Sequence, residues 1–400
     1  MAIGWGLALA RGRARITLPA CRWAPPQPSN ALTSRSLSRH APLILLVGAL
    51  AAVGCADRPA AATKNEVAVT GDSGGPAKQG APHPAGVVAV TAATAVKVKE
   101  PTSPQLHRSR RDSVALASMT KPDSVLDKRW PVKLPPPLPG SLLPANRILA
   151  FYGNPLSKRM GVLGEYPKDE MFAMLDREVA RWAKADPEHP VIPAIHFIVT
   201  VAQGTPGKAG LYRLQMRDSM TNALLGWARE KHALLFLDVQ PGKSTVEAEV
   251  PRLRPFLENP DVHLAIDPEF AMQPSGAVPS TRVGTVDAKD VNWTIDFLDR
   301  IVKEKHLPPK VLVVHRWTKK MVTNARDIRP VPNVQVVMDM DGWGPPWLKF
   351  DTYHDHIKTE PVQFTGFKLF FQHDTEKGTA LLTPEEVLRL TPKPLYIQYQ

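Results

Sequence analysis

Short apolar runs recur along residues 146–400, and stretches with the apolar spacing of helices lie between them. Eight runs have this character: Ile148–Tyr152, Val191–Val201, Ala233–Val239, Val262–Ile266, Val311–Val314, Val334–Met338, Phe364–Phe371 and Pro394–Tyr399. Continuous apolar runs are typical of parallel strands that are buried on both faces. The spacing predicts seven helices, over Lys168–Lys184, Leu211–Lys231, Thr245–Leu257, Asp290–Lys305, Thr318–Asp327, Pro346–Lys358 and Thr383–Leu390.

This alternation predicts the fold of residues 146–400. Eight strands separated by helices in about 255 residues favour an α/β fold of the (β/α)8 TIM-barrel type. The eighth strand ends the chain, so no closing helix follows it. An open, doubly wound sheet is the alternative. Gln203–Gly210 contains glycines, but without the spacing of a nucleotide-binding loop.

A separate apolar run lies near the amino terminus, before the eight described above. Ala41–Gly54 follows Arg35 and Arg39 and ends at Cys55. Fourteen residues are too few to cross a bilayer comfortably as a helix, but they suit the hydrophobic region of a signal peptide. We therefore expect the remainder of the chain to lie outside the cytoplasmic membrane.

Residues 52–55 (AVGC) resemble the lipobox of bacterial lipoproteins, in which the cysteine is lipidated. The resemblance implies a leader over 1–55 with its signal at 36–55, a lipid on Cys55 and a protein anchored in the cell envelope. A plain secretory signal or an N-terminal membrane anchor is the alternative. A start codon near residue 37 would account for the residues upstream of the signal.

Residues 56–145 have a different composition, rich in Ala, Pro, Gly, Ser, Thr and Lys with few aromatic side chains. A segment of this kind buries too little apolar surface to offset its chain entropy. We therefore predict a disordered tether over 56–145, with the barrel domain beginning at residue 146.

The distribution of charge and cysteine excludes several classes of function. Of the net charge of +12, residues 1–55 carry +6 and residues 56–145 carry +5, which leaves +1 for residues 146–400. A nucleic-acid-binding domain needs a basic face, so we expect no nucleic-acid partner. Cys21 and Cys55 both precede the barrel, which therefore has no disulfide, thiol nucleophile or cysteine metal site. We expect a monomer.

Polar side chains end nearly every predicted strand. In a (β/α)8 barrel the active site is built at the carboxyl ends of the strands. The polar residues there are His196, Asp238, Gln240, Asp267, Glu269, His315, Asp339, Asp341, Lys368 and Gln398. Burying so many ionisable groups without partners or water is costly. The pattern therefore predicts a polar pocket at this end of the barrel.

The most specific element is Asp267-Pro268-Glu269 on the fourth strand. Residues two apart on a strand face the same side, so both carboxylates can point into one site. Neighbouring carboxylates push one pKa upwards, which keeps one of them protonated as an acid. We predict Glu269 as a general acid and Asp267 as a charged helper. Alternatively, Pro268 marks the end of the strand and Glu269 caps the following loop.

The sixth strand ends in a second pair of carboxylates, Asp339 and Asp341, followed by Gly342 and Trp343. A tryptophan at the mouth of a barrel is a natural platform for a sugar ring. The alternative is that Trp343 and Trp347 only pack beneath the loop.

These two strand ends resemble those of known carbohydrate-active families. The Asp-x-Glu of strand four and the Met-x-x-Asp-type end of strand six (338–341) are similar to family 18 glycoside hydrolases, and family 25 lysozymes also carry Asp-x-Glu on strand four. The resemblance implies that Glu269 is the acid, with Asp267 and Asp341 as helpers. The chain as a whole resembles bacterial lipoproteins that carry such a barrel.

The chain departs from both families in places. Asp261 and His263 stand in place of a longer acidic run, Met340 stands where family 18 has Tyr, and strand eight lacks a Trp. Family 25 has an acid on strand one, where this chain has Tyr152 and Asn154.

We therefore predict an exported, membrane-tethered, glycoside hydrolase-like protein acting on an envelope or extracellular polysaccharide. The predicted catalytic residues are Glu269, Asp267, Asp341 and Asp339. The predicted substrate-binding residues are Asp238, Gln240, His315, Trp343, Lys368, His196 and Tyr152; no metal ligand and no cofactor are assigned. One alternative is a metal-dependent hydrolase using His196, Asp238, His315 and Asp339, which lack the spacing of known metal motifs. Another is a barrel that binds glycans without turnover.

Overall fold

The computed structural model describes residues 108–119, 121–376 and 378–400. Eight parallel strands form its centre: β1 Arg147–Gly153, β2 Val191–Ala202, β3 Leu234–Val239, β4 Val262–Ile266, β5 Lys310–Arg316, β6 Val334–Met340, β7 Phe364–Leu369 and β8 Tyr396–Tyr399. The predictions for the leader, for Cys55 and for the first part of the tether concern residues outside the described range.

The strands form a closed barrel. Each strand pairs in parallel with the next one along the chain. The last strand returns to the first, with Ile148 of β1 opposite Tyr396 of β8. The predicted (β/α)8 barrel is therefore confirmed, and the open-sheet alternative is wrong.

Helices and short elements occupy the connections. The α-helices are α1 Arg110–Met119, α2 Val162–Glu165, α3 Lys168–Ala185, α4 Asp218–Glu230, α5 Val246–Glu249, α6 Arg254–Leu257, α7 Ala288–Lys305, α8 Pro346–Thr352 and α9 Pro384–Val387. Single 3-10 turns cover Asp127–Arg129, Pro251–Leu253, Pro268–Phe270, Lys319–Met321 and Ala325–Asp327, and a π-helical turn covers Tyr353–Lys358. Short strands cover Arg213–Gln215, Val286–Asp287 and Val322–Thr323. No helix of the described residues is long and apolar enough to cross a membrane.

The connection after β5 differs from the predicted helix over Thr318–Asp327. Val322–Thr323 forms a short strand that pairs with Val286–Asp287, and Asn324 has a left-handed backbone with φ of 54°. β-Branched residues favour strands, and a left-handed residue ends a helical turn. Pairing with a distant segment therefore outweighs the helical spacing of this stretch.

Two other predicted helices are shorter or interrupted. The first residues of Leu211–Lys231 include the strand Arg213–Gln215, which pairs antiparallel with the end of β2, and the helix begins only at Asp218. The predicted helix Thr245–Leu257 is divided into α5, a 3-10 turn and α6. Pro251 and Pro255 lack the N–H that a continuous helix needs from interior residues.

Alternate residues of each strand divide the core into two layers. In β1, Ile148 and Ala150 belong to a small cluster inside the barrel, whereas Leu149 and Phe151 pack in the larger cluster between barrel and helices. The apolar inner cluster occupies the amino half of the barrel. The carboxyl half is filled instead by the polar side chains that end the strands.

The segment before β1 corrects the predicted limits of the tether. Residues 108–119 and 121–145 are folded against the barrel: α1 packs on α8, and Trp130 donates its indole N–H to the carbonyl of Lys358. Leu143 is fully buried at the amino end of the barrel, where its backbone N–H donates to the side chain of Gln335. The prediction of a tether up to residue 145 is wrong for this part of the segment.

Candidate active site

The polar residues at the carboxyl ends of the strands converge on the barrel axis. They share the inward-facing positions of their strands: Tyr152 on β1, His196 on β2, Asp238 and Gln240 at the end of β3, Asp267 and Glu269 after β4, His315 on β5, Asp339 and Asp341 at the end of β6, Lys368 on β7, and Tyr396 and Gln398 on β8. The predicted polar pocket is therefore a stack of side chains inside the barrel, with its lower members fully buried.

The lowest layer is formed by His196, Asp238 and His315, all with no exposed surface. Nε2 of each histidine lies 3.6 Å from Oδ2 of Asp238. Their possible ligand atoms lie within 4.8 Å of one another, so this group could hold a metal ion. Burial raises the pKa of Asp238, but the two histidines together lower it by more than burial raises it, so the carboxyl group is ionised.

The ring of His196 is fixed from the β8 side. Its Nδ1 shares a hydrogen bond of 2.5 Å with the hydroxyl of Tyr396, and the side-chain amide of Gln398 lies 2.9 Å from the same nitrogen. Burial lowers the pKa of His196 to about 4, against the opposing effect of Asp238. The imidazole is therefore neutral at physiological pH.

His315 lies between carboxylates on two sides. Its Nδ1 faces Oδ2 of Asp341 at 3.2 Å and Oδ2 of Asp339 at 3.4 Å. Burial lowers the pKa of His315, but the charges of Asp238 and Asp341 raise it well above its usual value. Burial raises the pKa of Asp339 against the effect of His315. The pKa of Asp339 is therefore raised, whereas the pKa of the adjacent Asp341 is lowered.

A middle layer connects β1, β3, β4 and β7. The amide of Gln240 donates to the hydroxyl of Tyr152 at 3.2 Å and to Oδ2 of Asp267 at 3.3 Å. The ammonium group of Lys368 lies 3.9 Å from the centre of the Tyr152 ring and 2.8 Å from Oδ1 of Asp341. Burial raises the pKa of Asp341, but Lys368 and His315 bring it below its usual value.

Asp267 and Glu269 occupy different depths. Asp267 is 3% exposed and accepts the backbone N–H of Glu269 at 3.1 Å, so it caps the 3-10 turn that carries Glu269. Burial raises the pKa of Asp267 well above its usual value. This direction favours the protonated form of the carboxyl group that the sequence predicts as a charged helper. The role of Asp267 as a helper stays a prediction.

Glu269 is half-buried and reaches the upper part of the site. Its Oε2 accepts the indole N–H of Trp317 at 2.9 Å. Burial and the charge of Asp341 raise the pKa of Glu269, while Trp317 opposes the rise. A raised pKa is the environment that a proton donor needs, and the role of Glu269 as the general acid stays a prediction.

The predicted residues differ in access to solvent. Trp343 lies after β6 with 56% of its surface exposed, and its ring centre is 5.6 Å from that of His373. Trp347 instead stacks under the guanidinium group of Arg111, 3.3 Å from the ring centre. The alternative that both tryptophans pack beneath the loop is therefore wrong for Trp343.

Two residues of the site were missed in the sequence. Trp317 and Tyr396 are aromatic, so a pattern of charged, imidazole and amide side chains at strand ends does not include them. Trp317 lies two residues after His315, and Tyr396 lies two residues before Gln398. The two-residue period that identified the carboxylate pairs would have found both.

A cavity of about 540 Å³ lies at the opposite, amino end of the barrel. Its walls are the proline-rich segment 130–137 and the loops before β6, β7 and β8. None of the residues that line it carries a carboxylate or an imidazole. Among the described residues, Lys393 is the one ionisable side chain in its lining, so the carboxylates and imidazoles of the candidate chemistry all lie at the carboxyl end.

Comparisons with known proteins identify no family. No family model matches the chain, and no curated protein matches it. Among solved structures, the crystal structure of a ruminal GH26 endo-beta-1,4-mannanase has a TM-score of 0.28 and 10% sequence identity to this chain. The match covers 64% of this chain and 58% of the mannanase chain, which is less than two thirds of either. A likeness this weak indicates neither a family nor an activity.

Proposed function

We propose that the barrel is a glycoside hydrolase-like enzyme in which Glu269 is the general acid and Asp341 the charged carboxylate. The observation that carries the proposal is that the surroundings of these two carboxyl groups shift their pKa values in opposite directions. Burial and Asp341 raise the pKa of Glu269, whereas Lys368, 2.8 Å from Asp341, helps lower the pKa of that carboxyl. Carboxyl groups whose pKa values are pushed apart are the usual pair in glycoside hydrolysis.

In the proposed reaction Glu269 first donates a proton and is later protonated again. Glu269 donates its proton to the glycosidic oxygen as the bond from that oxygen to the anomeric carbon breaks. Positive charge develops on the sugar ring, and the negative charge of Asp341 stabilises it. Water then adds to the anomeric carbon, and its proton returns to Glu269.

The remaining polar residues act as positioning groups in this proposal. Asp267 fixes the turn that carries Glu269 through the 3.1 Å bond to its backbone N–H. Lys368 and His315 hold Asp341 from two sides. The fully buried His196, Asp238 and Asp339 lie below the groups that a substrate can reach.

A polysaccharide is the proposed substrate class. The exposed ring of Trp343 offers an apolar face near the strand ends, as is common where a site must orient a sugar. The lipobox-like sequence at Cys55 supports a chain anchored outside the cytoplasmic membrane, where envelope or extracellular polysaccharides are its substrates. We further propose that it acts as a monomer.

The test is release of reducing ends by the full chain from a panel of purified cell-wall and extracellular polysaccharides. We expect Glu269→Gln to lower kcat by at least about 100-fold, the usual contribution of a general acid. Glu230→Gln is the matched control, because Glu230 lies on α4 and its side chain is 58% exposed. Both variants should retain the circular dichroism and Tm of the parent.

Two outcomes would overturn parts of the proposal. Full activity of Glu269→Gln would show that Glu269 is not the acid. Binding to one of these polysaccharides without hydrolysis by the parent would favour the glycan-binding alternative.

A further inference from the structure

The lowest layer of the site has unusual polar chemistry for the interior of a barrel. His196, Asp238 and His315 come from β2, β3 and β5, with β4 between the last two strands, and none of them has exposed surface. Nε2 of each imidazole points to the same oxygen of Asp238, at 3.6 Å in both cases. These separations are too long for good hydrogen bonds.

The facing atoms have no partner among the residues that the structure describes. Nε2 of His196, Nε2 of His315 and both carboxylate oxygens of Asp238 make no hydrogen bond there. A buried polar atom without a partner is costly, and such atoms commonly indicate a water molecule or an ion. Here several of them face one another, so a single shared partner would satisfy the group.

We propose that His196, Asp238 and His315 bind a divalent transition-metal ion, with zinc the best match. Zinc takes histidine nitrogen and carboxylate oxygen as ligands, with bonds of about 2.0–2.2 Å. In a tetrahedral site such bonds hold the ligand atoms about 3.3–3.6 Å apart. The two separations of 3.6 Å match this spacing, and the third, between the two imidazoles, is within 4.8 Å and would have to close on the ion.

Both imidazoles also have the outer partners that metal-binding histidines need. With the ion on Nε2 of His196, Nδ1 carries the proton and donates it to the hydroxyl oxygen of Tyr396, 2.5 Å away. The Gln398 amide, 2.9 Å from the same nitrogen, then has to present its oxygen instead of its NH2 group to Nδ1. With the ion on Nε2 of His315, Nδ1 faces Oδ2 of Asp341 at 3.2 Å and Oδ2 of Asp339 at 3.4 Å, which are ion-pair distances without a formed hydrogen bond. Carboxylate–histidine–metal arrangements of this kind fix the tautomer and the ring orientation.

The position of the ion favours a positioning role. The ring of Tyr152 covers the group from above, with its centre 5.2 Å from that of His196 and 6.0 Å from that of His315. His315 connects the ion to Asp341, so the ion would fix the carboxylate that faces the substrate. This connection to catalysis rests on the proposed function, whereas the ion site itself does not.

The full chain, stripped with a chelator and reloaded with Zn²⁺ or Co²⁺, tests the proposal without an activity assay. We expect one ion per chain by mass spectrometry of the metal and visible absorption bands from bound Co²⁺. We also expect a Tm increase of about 5 °C at a Zn²⁺ concentration about 100-fold above Kd.

Three variants test whether the ion is held by this group of residues. Asp238→Asn should weaken Zn²⁺ binding by more than the roughly 100-fold cost of losing an outer partner. His263→Gln is the matched control, because His263 is also buried on a barrel strand but accepts the backbone N–H of Val311 outside the group. Glu269→Gln should keep the ion while losing hydrolysis, so that failure of either proposal is recognised separately.

The contrary results are equally specific. A parent chain that retains less than about 0.1 ion and shows neither a Tm shift nor Co²⁺ bands has no such site, and His315 is then an imidazolium held between carboxylates. Equal Zn²⁺ affinity of Asp238→Asn and the parent would place the ion elsewhere in the chain. If Asp238→Asn does not fold, the stoichiometry and spectrum of the parent decide.

Discussion

Gly366 on β7 offers a direct test of how tightly the lower site is packed. A Cβ atom at this position would lie 2.4 Å from Oδ1 of Asp339, and its three nearest neighbouring atoms all belong to that side chain. Gly366 does not have a positive φ, so alanine is compatible with the backbone there. The variant Gly366→Ala therefore perturbs one contact, between the new methyl group and the buried carboxyl of Asp339.

The size of the effect follows from the distance. Ordinary contact begins at 3.4 Å, so the carboxyl of Asp339 must move by about 1 Å. Asp339 is fully buried and its Oδ2 is already 3.4 Å from Nδ1 of His315, so little space is available. Overpacking of this kind costs about 1–3 kcal/mol, and replacing glycine recovers about 0.4–1 kcal/mol from the unfolded chain. We expect a net loss of about 1–2 kcal/mol.

The assay is equilibrium urea unfolding of four chains: the parent, Gly366→Ala, Asp339→Ala and the double variant. The control is Gly226→Ala on α4, where nothing lies within 4 Å of the new Cβ and helix propensity should stabilise the chain by about 0.5–1 kcal/mol. If the clash is the cause, Gly366→Ala should cost much less in the Asp339→Ala background, where only the contact with Cβ of residue 339 at 3.1 Å remains. The same loss in both backgrounds would refute the steric explanation.

Two further predictions concern the perturbed pKa values of the site. Burial raises the pKa of Asp267 well above 3.8, so the stability that its protonated form contributes is full at low pH and is lost as the pH rises through the raised pKa. Asp267→Asn should therefore stabilise the chain at pH 7, by about 1.4 kcal/mol for every tenfold change in the acid dissociation constant, as measured by thermal unfolding from pH 4 to 8. Trp317→Phe removes the indole donor that opposes the rise in the pKa of Glu269. The pKa of Glu269 should then rise further, and the alkaline limb of the pH profile of kcat/KM should move to higher pH, because the acid must be protonated to act.

Control variants distinguish these effects from general changes in stability. Asp261 has its pKa lowered, chiefly by Arg229, so Asp261→Asn should lose stability at pH 7 rather than gain it. Trp227→Phe on α4 should leave the pH profile unchanged. Equal stability of Asp267→Asn and the parent from pH 4 to 8 would contradict the raised pKa of Asp267. An alkaline limb that stays in place in Trp317→Phe would contradict the role of that hydrogen bond.

The barrel could be predicted from the sequence because each of its strands is a short, continuous apolar run. A run such as Val311–Val314 is apolar on both faces, as a strand between an inner core and surrounding helices must be. The connections were less predictable. Val322–Thr323 pairs with a segment 36 residues earlier in the chain, and helical spacing contains no information on that partner.

The positions of polar residues at the strand ends were sufficient to predict which residues form the site. They did not predict how deeply each side chain is buried. Asp267 and Glu269 share one face by the two-residue period, yet the first is nearly buried and the second half-buried. The difference arises because the chain leaves the strand at Asp267 and turns through Pro268, which carries Glu269 upwards. The difference in burial also affects the chemistry, since burial raises the pKa of Asp267 well above its usual value beneath the residue proposed as the acid.

The error at the start of the domain has a different origin. Composition indicates how much apolar surface a segment can bury by itself, and residues 108–119 and 121–145 bury little. These residues are instead held by individual polar contacts with the barrel domain. Arg108 binds the carboxylate of Glu386, and the side chain of Gln335 accepts the backbone N–H of Leu143. Isolated contacts of this kind have no period, so a proline-rich segment can be ordered by a neighbouring fold while its sequence resembles a tether.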